Sequence, residues 1–389
     1  MLRNFIFILY FAVIGLFFSS CGNDSLNFAA NSYQTQISSQ DISPNYSDNY
    51  VPSGVALEAI NQHNNLQLSG FALKVNDFIY FADAIGVHKT DMTFTNIQTL
   101  VFASNNNDLE APNNAVFDRL QMFGDKIYFR NIAESAIYSM YSDGTGLTRV
   151  LDIEMLGYDV GDPASITEFV VLDGRIYFNF FTGTISLKSL DLSSREIIDL
   201  AIEETEILTV GVDGKSLQFS MFGGKLSQID DEIGEIVSLV PSNMNLFKNV
   251  FDIGYTTNCS GLLAFVAPWP NESRIFTISE GSANEIYQLS TGVIEQYINS
   301  LNDWIYFTVY PTIDHWDTVS LYRIKNDGSV LELISENISQ PRDTKGIPTI
   351  FINLLSEDVI LFKMHPRTHE IYALKWNLGD GSYYIRQIN

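Results

Sequence analysis

One short apolar motif recurs along most of the chain, and its spacing restricts the fold more than any other feature of the sequence. Four close copies are Ile79-Tyr80-Phe81, Ile127-Tyr128-Phe129, Ile176-Tyr177-Phe178 and Ile305-Tyr306-Phe307. Looser copies are Leu217-Gln218-Phe219, Leu263-Ala264-Phe265 and Ile360-Leu361-Phe362. The phenylalanines stand at 81, 129, 178, 219, 265, 307 and 362, at intervals of 48, 49, 41, 46, 42 and 55 residues. A period of about 40–50 residues built from short strands points to the blades of a β-propeller.

The punctuation around each copy agrees. A two-residue turn precedes it, as in Asn76-Asp77, Gly124-Asp125, Asp173-Gly174 and Asn302-Asp303. Gly, Asn and Asp tolerate the positive φ of a tight hairpin. An apolar strand lies upstream, such as Leu120-Gln121-Met122-Phe123, and a third strand downstream, such as Ile137-Tyr138-Ser139-Met140. A second turn, Asp143-Gly144-Thr145-Gly146 or Asn326-Asp327-Gly328, leads to a fourth strand. Four antiparallel strands make one blade. Three large residues in a row place bulk on both faces of a strand, as a strand covered by blades on either side requires. A helical solenoid would need amphipathic stretches of about 10–12 residues, which the units lack. The expectation is an all-β chain, a β-propeller of about seven four-stranded antiparallel blades over residues 66–389.

The N-terminus reads differently. Met1-Leu2-Arg3-Asn4 is followed by an apolar run from Phe5 to Phe18 and then Ser19-Ser20-Cys21-Gly22. One basic residue, a short apolar run and small residues before a cut site have the layout of a secretory signal. The run falls short of the roughly 20 apolar residues of a membrane span. Phe18-Ser19-Ser20-Cys21 resembles a bacterial lipobox, with Phe where Leu is usual. The resemblance implies a signal peptide over 1–20 and lipidation at Cys21, hence a membrane-anchored lipoprotein of the bacterial cell envelope, facing outside the cytoplasm. Residues 21–65 are polar and aperiodic at first and read as a disordered tether. The other cysteine, Cys259, then has no intramolecular partner, and the fold must rest on its core.

The formal charge of −24 and a pI near 4.4 exclude nucleic acid as a partner and docking on anionic headgroups, both of which need basic surface. The turn, Ile-Tyr-Phe, Ile-Tyr and Asp-Gly-Thr pattern resembles the bacterial prolow-density lipoprotein receptor-like β-propeller domain. That domain is a distant relative of the Tyr-Trp-Thr-Asp propellers of animal lipoprotein receptors. The likeness covers about residues 66–389. The Trp-Thr-Asp part is missing here and the receptor propellers have six blades, so receptor-type ligand binding is not implied for any residue.

Alternating strand direction gathers the long connections on one face and the short hairpins on the other. Binding residues collect in loops free of folding duty. The long connections hold the candidates for partner contact: Trp269, Asp314, His315, Trp316, His365 and Arg367. His365 and His369 are four apart, but Pro366 removes the helix that would aim both at one metal. No Gly-x-Ser-x-Gly elbow, His-Glu-x-x-His helix or phosphate-cradling glycine loop is present. No catalytic residue, metal ligand or cofactor is therefore expected. The main functional expectation is a non-catalytic binding or scaffold module for protein, peptide or glycan partners. The alternative is a cell-surface polysaccharide hydrolase or lyase using acids and histidine of the long-loop face.

Overall fold

A computed structural model describes residues 64–65, 70–83, 85–102, 117–159 and 161–203. Beyond these it describes 205–210, 217–221, 225–229, 236–238, 256–259, 262–267, 273–279, 282–289, 292–294, 298–311, 318–339, 351–363 and 370–388. Among them, strands form seven antiparallel sheets, each from consecutive segments of chain. The first sheet holds Ala72–Val75, Phe78–Ala82, Gly86–Asp91 and Gln98–Phe102. The second holds Phe117–Phe123, Lys126–Asn131, Ala136–Tyr141 and Thr148–Leu151. The first strands of the remaining sheets begin at Ser165, Thr205, Thr256, Asn299 and Phe351. In the sixth sheet an extra pair, Val293–Ile294, extends the edge beside Asn299–Leu301. The one other element, Glu154–Leu156, is a single 3-10 turn. The fold is an all-β propeller.

All seven copies of the motif fall on the second strand of a sheet. Packing explains the motif residue by residue. Ile127 and Phe129 lie in one apolar cluster with Leu73, Tyr80 and Val87 of the first sheet, whereas Tyr128 joins Phe169, Ile176 and Phe178 of the third. Tyr177 faces on to Leu217 of the fourth sheet. Ile305 and Phe307 pack back on Ala264 and Ile275 of the fifth, and Tyr306 forward on Ile360 and Phe362 of the seventh. Leu361 completes the series against Ile79 and Phe81 of the first sheet. The outer two motif residues thus face the preceding sheet and the middle one faces the next, as strand alternation dictates.

The turns are built as the sequence implies. Asn76, Asp173 and Asn302 open their hairpins at φ 54°, 47° and 56°, the left-handed region that Asn and Asp tolerate. In the second hairpin of five sheets an aspartate side chain accepts from the backbone N–H two residues on: Asp91 from Thr93, Asp143 from Thr145, Asp191 from Ser193, Asp327 from Ser329 and Asp380 from Ser382. These bonds favour the ionised carboxyl, so each of the five titrates below the ordinary carboxylate range, Asp91 at about 2.

Phe129, Phe178 and Phe307 are fully buried between sheets. Each truncation to alanine is expected to cost about 3–5 kcal/mol in a denaturation experiment, from lost transfer energy and the cavity left behind. Phe102→Ala, at an exposed ring, should stay within about 0.5 kcal/mol of wild type.

Candidate functional site

The first strand of each sheet runs toward a short hairpin, so its start and the end of the second strand lie at the opposite, long-loop face. Charged residues converge at that face from the seventh, first, second and third sheets; Lys363, Asp83, Asp118 and Arg119 are buried, and Arg130 and Glu168 are half-buried. Lys363 closes the second strand of the seventh sheet, Asp83 follows that of the first, Asp118 and Arg119 sit early in Phe117–Phe123, and Arg130 stands late in Lys126–Asn131. Glu168 comes from Ser165–Leu172 of the third sheet.

Lys363 faces the acidic members of the group, Asp118 and Asp83. Its Nζ donates to the Ala82 carbonyl at 3.3 Å and lies 4.5 Å from the centroid of the Phe71 ring. Burial pulls its amine down to about 8, against the carboxylates of Asp118 and Asp83, which hold it up. Asp83 Oδ1 accepts from the N–H of Ile85 at 2.7 Å, from that of Gly86 at 3.0 Å and from His88 Nε2 at 2.8 Å. A carboxylate can only accept, so Nε2 donates to Asp83, and in the neutral ring Nδ1 then accepts from the Thr99 hydroxyl at 3.0 Å. The ring stacks on Phe81 with centroids 4.9 Å apart. Orientation and tautomer of His88 are therefore both fixed.

The second and third sheets contribute two ion pairs. Arg130 grips Asp118 with both arms, Nε to Oδ1 at 2.8 Å and Nη2 to Oδ2 at 2.5 Å, and reaches the carbonyls of Ile166 and Thr167. Burial opposes its charge, but Asp118 and Glu168 outweigh that and raise its pKa. Arg119 pairs with Glu168 across the sheet boundary. It can do so because the pairing of Phe117–Phe123 with its neighbour slips between Asp118 and Gln121, a bulge of one residue. Arg119 there adopts φ 56°, and the Leu120 N–H donates to Gly70 O at 2.7 Å. A left-handed, non-glycine arginine held by neighbouring chain is a form of strain that collects at functional sites.

The residues singled out from sequence, Cys21, Trp269, Asp314, His315, Trp316, His365 and Arg367, all lie outside the described residues. The strand ends that flank the last five, Tyr310, Thr318, Lys363 and Tyr372, are at the long-loop face. What sequence reasoning missed was the charge hidden inside strands: Asp118-Arg119 within an apolar segment, His88 within Gly86–Asp91, and Lys363 at the end of a run that is buried throughout. Among the described residues no three His, Cys, Asp or Glu side chains are grouped to hold a metal. Cys259 is buried, its thiol pushed well above the ordinary range by burial.

Comparison with known proteins bears on the fold. No family model and no curated protein matches the chain. Among solved structures it is similar to the β-propeller domain of the Trilobed protease from Pyrococcus furiosus, at 11% identity and TM-score 0.50 over 82% of this chain and 98% of that one. It is also similar to a puromycin-hydrolyzing peptidase of Mycobacterium tuberculosis, at 9% identity and TM-score 0.49 over 78% of this chain and 50% of that one. A third is oligogalacturonate lyase from Vibrio parahaemolyticus, at 12% identity and TM-score 0.38 over 55% of this chain and 61% of that one. The chain spans half to three-fifths of the length of these last two enzymes. At such identities the likeness establishes the fold, a β-propeller.

The neighbours correct one expectation. A non-catalytic binding or scaffold module was inferred from missing catalytic signatures, yet the similar propeller of the Trilobed protease is a domain of an enzyme. Missing motifs do not exclude an enzyme, because local motifs report sites built on one turn or helix, whereas a propeller assembles its charged groups from several sheets that are distant in sequence.

Lys363 yields a test by pH. Its folded pKa of about 8 lies below the ordinary 10.5, so between those values the unfolded chain holds a proton that the folded chain has released. Its contribution to stability therefore rises with pH across that window and is lost as pH falls through about 8. Lys363→Met should melt above wild type at pH 7, by the equivalent of about 3 kcal/mol. The gap should close toward pH 10.5 in denaturation curves taken along the series.

Proposed function

We propose that the chain is a bacterial cell-surface enzyme of the polysaccharide lyase or hydrolase type, working at the long-loop face of its propeller. The observation that carries this reading is the buried Lys363 amine, facing the carboxylates of Asp118 and Asp83, with Asp118 in turn paired to Arg130. Buried ionic groups contribute little net stability compared with apolar replacements, so a cluster of them drawn from four sheets suits chemistry better than architecture. An amine whose pKa is pulled toward neutrality has a useful unprotonated fraction and can act as a base. Its surroundings suit a sugar bearing a carboxylate. In elimination the base takes the proton next to that carboxylate and the C–H electrons form the new double bond. The bond to the glycosidic oxygen breaks, and water protonates the leaving oxygen.

The test is a screen of the full-length protein against neutral and uronic-acid polysaccharides, reading new reducing ends and the absorbance of unsaturated products. Wild type should release product, and Lys363→Met and Asp83→Asn should lower the rate at least 100-fold while remaining folded. Asp314→Ala and His315→Ala, run alongside, assign any share of the longer loops. Absence of product from wild type on every polymer would overturn the reading.

Envelope anchoring is part of the same proposal and rests on Cys21 at the end of the apolar run. Two or more acyl chains hold a protein firmly on a bilayer. The likeness of the repeat to the bacterial receptor-like propellers is in keeping with that location. A fatty-acid analogue fed to cells should tag wild type and leave Cys21→Ser untagged; tagging of the variant would remove the claim.

A further inference from the structure

Each sheet uses four consecutive main strands, so no strand is shared between the first and the seventh. The seam between them is closed by side chains. Asn353 Oδ1 accepts from the Ala72 N–H at 2.8 Å, and Arg386 Nη2 donates to Phe94 O at 3.3 Å. Elsewhere an amide on one innermost strand likewise bonds the next: Gln121 Oε1 accepts from the Val171 N–H at 2.8 Å, and Asn299 Nδ2 donates to Ile352 O at 3.1 Å.

Two residues ahead of the first strand enter this belt. Asn64 and Asn65 are 1% and 4% exposed, although they fall in the segment whose composition suggests a tether. Asn65 bridges both neighbours of one boundary. Its Nδ2 donates to Leu354 O at 2.9 Å, and its Oδ1 accepts from the Leu354 N–H at 2.8 Å and from Asn299 Nδ2 at 2.9 Å. Asn64 Nδ2 donates to Ser300 Oγ at 2.9 Å, and that hydroxyl meets Thr257 Oγ1 at 2.7 Å. The Asn65 carbonyl accepts from the Gly70 N–H at 2.9 Å, where the chain turns into the first sheet.

We propose that Thr257, Asn299, Ser300 and Asn353 form a binding site for the chain's own upstream segment, which acts as a strap holding the sixth and seventh inner strands together and to the first sheet. The paired donor and acceptor at Leu354 copy a strand-to-strand exchange of backbone bonds, which an asparagine amide can supply and an aliphatic side chain cannot. The strap reaches sheets at the far end of the sequence from its own, so the seam is held from both sides. This inference does not depend on the catalytic reading.

Hydrogen exchange on the full-length protein tests it. Asn65→Ala should speed exchange at least tenfold in peptides covering 299–301 and 351–356, with 117–131 and 165–181 unchanged. If Asn65→Ala does not fold, Asn64→Ala, which removes the amide contacts to Ser300, should raise exchange at 299–301 at least tenfold. Unchanged exchange at the sixth and seventh inner strands, or an equal rise in every sheet, would overturn the strap.

Discussion

The ring depends on a division of labour within three residues. In each well-formed copy the first and third residues of Ile-Tyr-Phe pack on the sheet behind, and the second packs on the sheet ahead. Because strand side chains alternate, a single segment serves two interfaces at once. A one-residue slip would exchange the faces and set phenylalanine where tyrosine belongs. The middle tyrosine also keeps its hydroxyl satisfied: Tyr80 donates to Ser142 O at 2.7 Å in the neighbouring sheet, and Tyr306 lies 3.4 Å from Arg323 Nη1. Removing one sheet would leave two apolar surfaces uncovered, which is why the units stand or fall together.

Buried charge sits where this apolar packing gives way. Arg119 leaves the regular ladder at a bulge, Asp83 follows the end of its strand, and Lys363 is the last residue of its own. These are positions at which a strand no longer needs to offer an apolar side chain to each neighbour. Ion pairs that cross a sheet boundary, such as Arg119 with Glu168, also fix how adjacent sheets are set.

The periodic part of this design was legible in the sequence because it repeats. Tyr80, Tyr128, Tyr177 and Tyr306 could be aligned with one another, and their strands and turns followed. Asp118-Arg119 could not, because a bulge leaves no composition signal. Asn64 and Asn65 were hidden for a different reason. Their flanks read as solvated chain, and asparagine is as common in such chain as it is rare in a core; only the partners at Asn299, Ser300 and Leu354 reveal their role. Periodicity reports faces, whereas single polar plugs are visible only once distant strands are side by side.

Contiguous sheets have a consequence for how the chain acquires its shape. Within a sheet every pairing joins neighbouring segments, so loop closure is short and inexpensive in entropy. Folding can then proceed in the order in which the chain emerges, each sheet offering a face on which the next condenses. The contacts of longest range come last, where the seventh sheet meets the first and Asn353 reaches Ala72 across a separation of 281 residues. Until that moment the first sheet presents Ile79 and Phe81 to water, which makes the opening sheet, already formed but uncovered, the part of a growing chain most in need of protection from other chains.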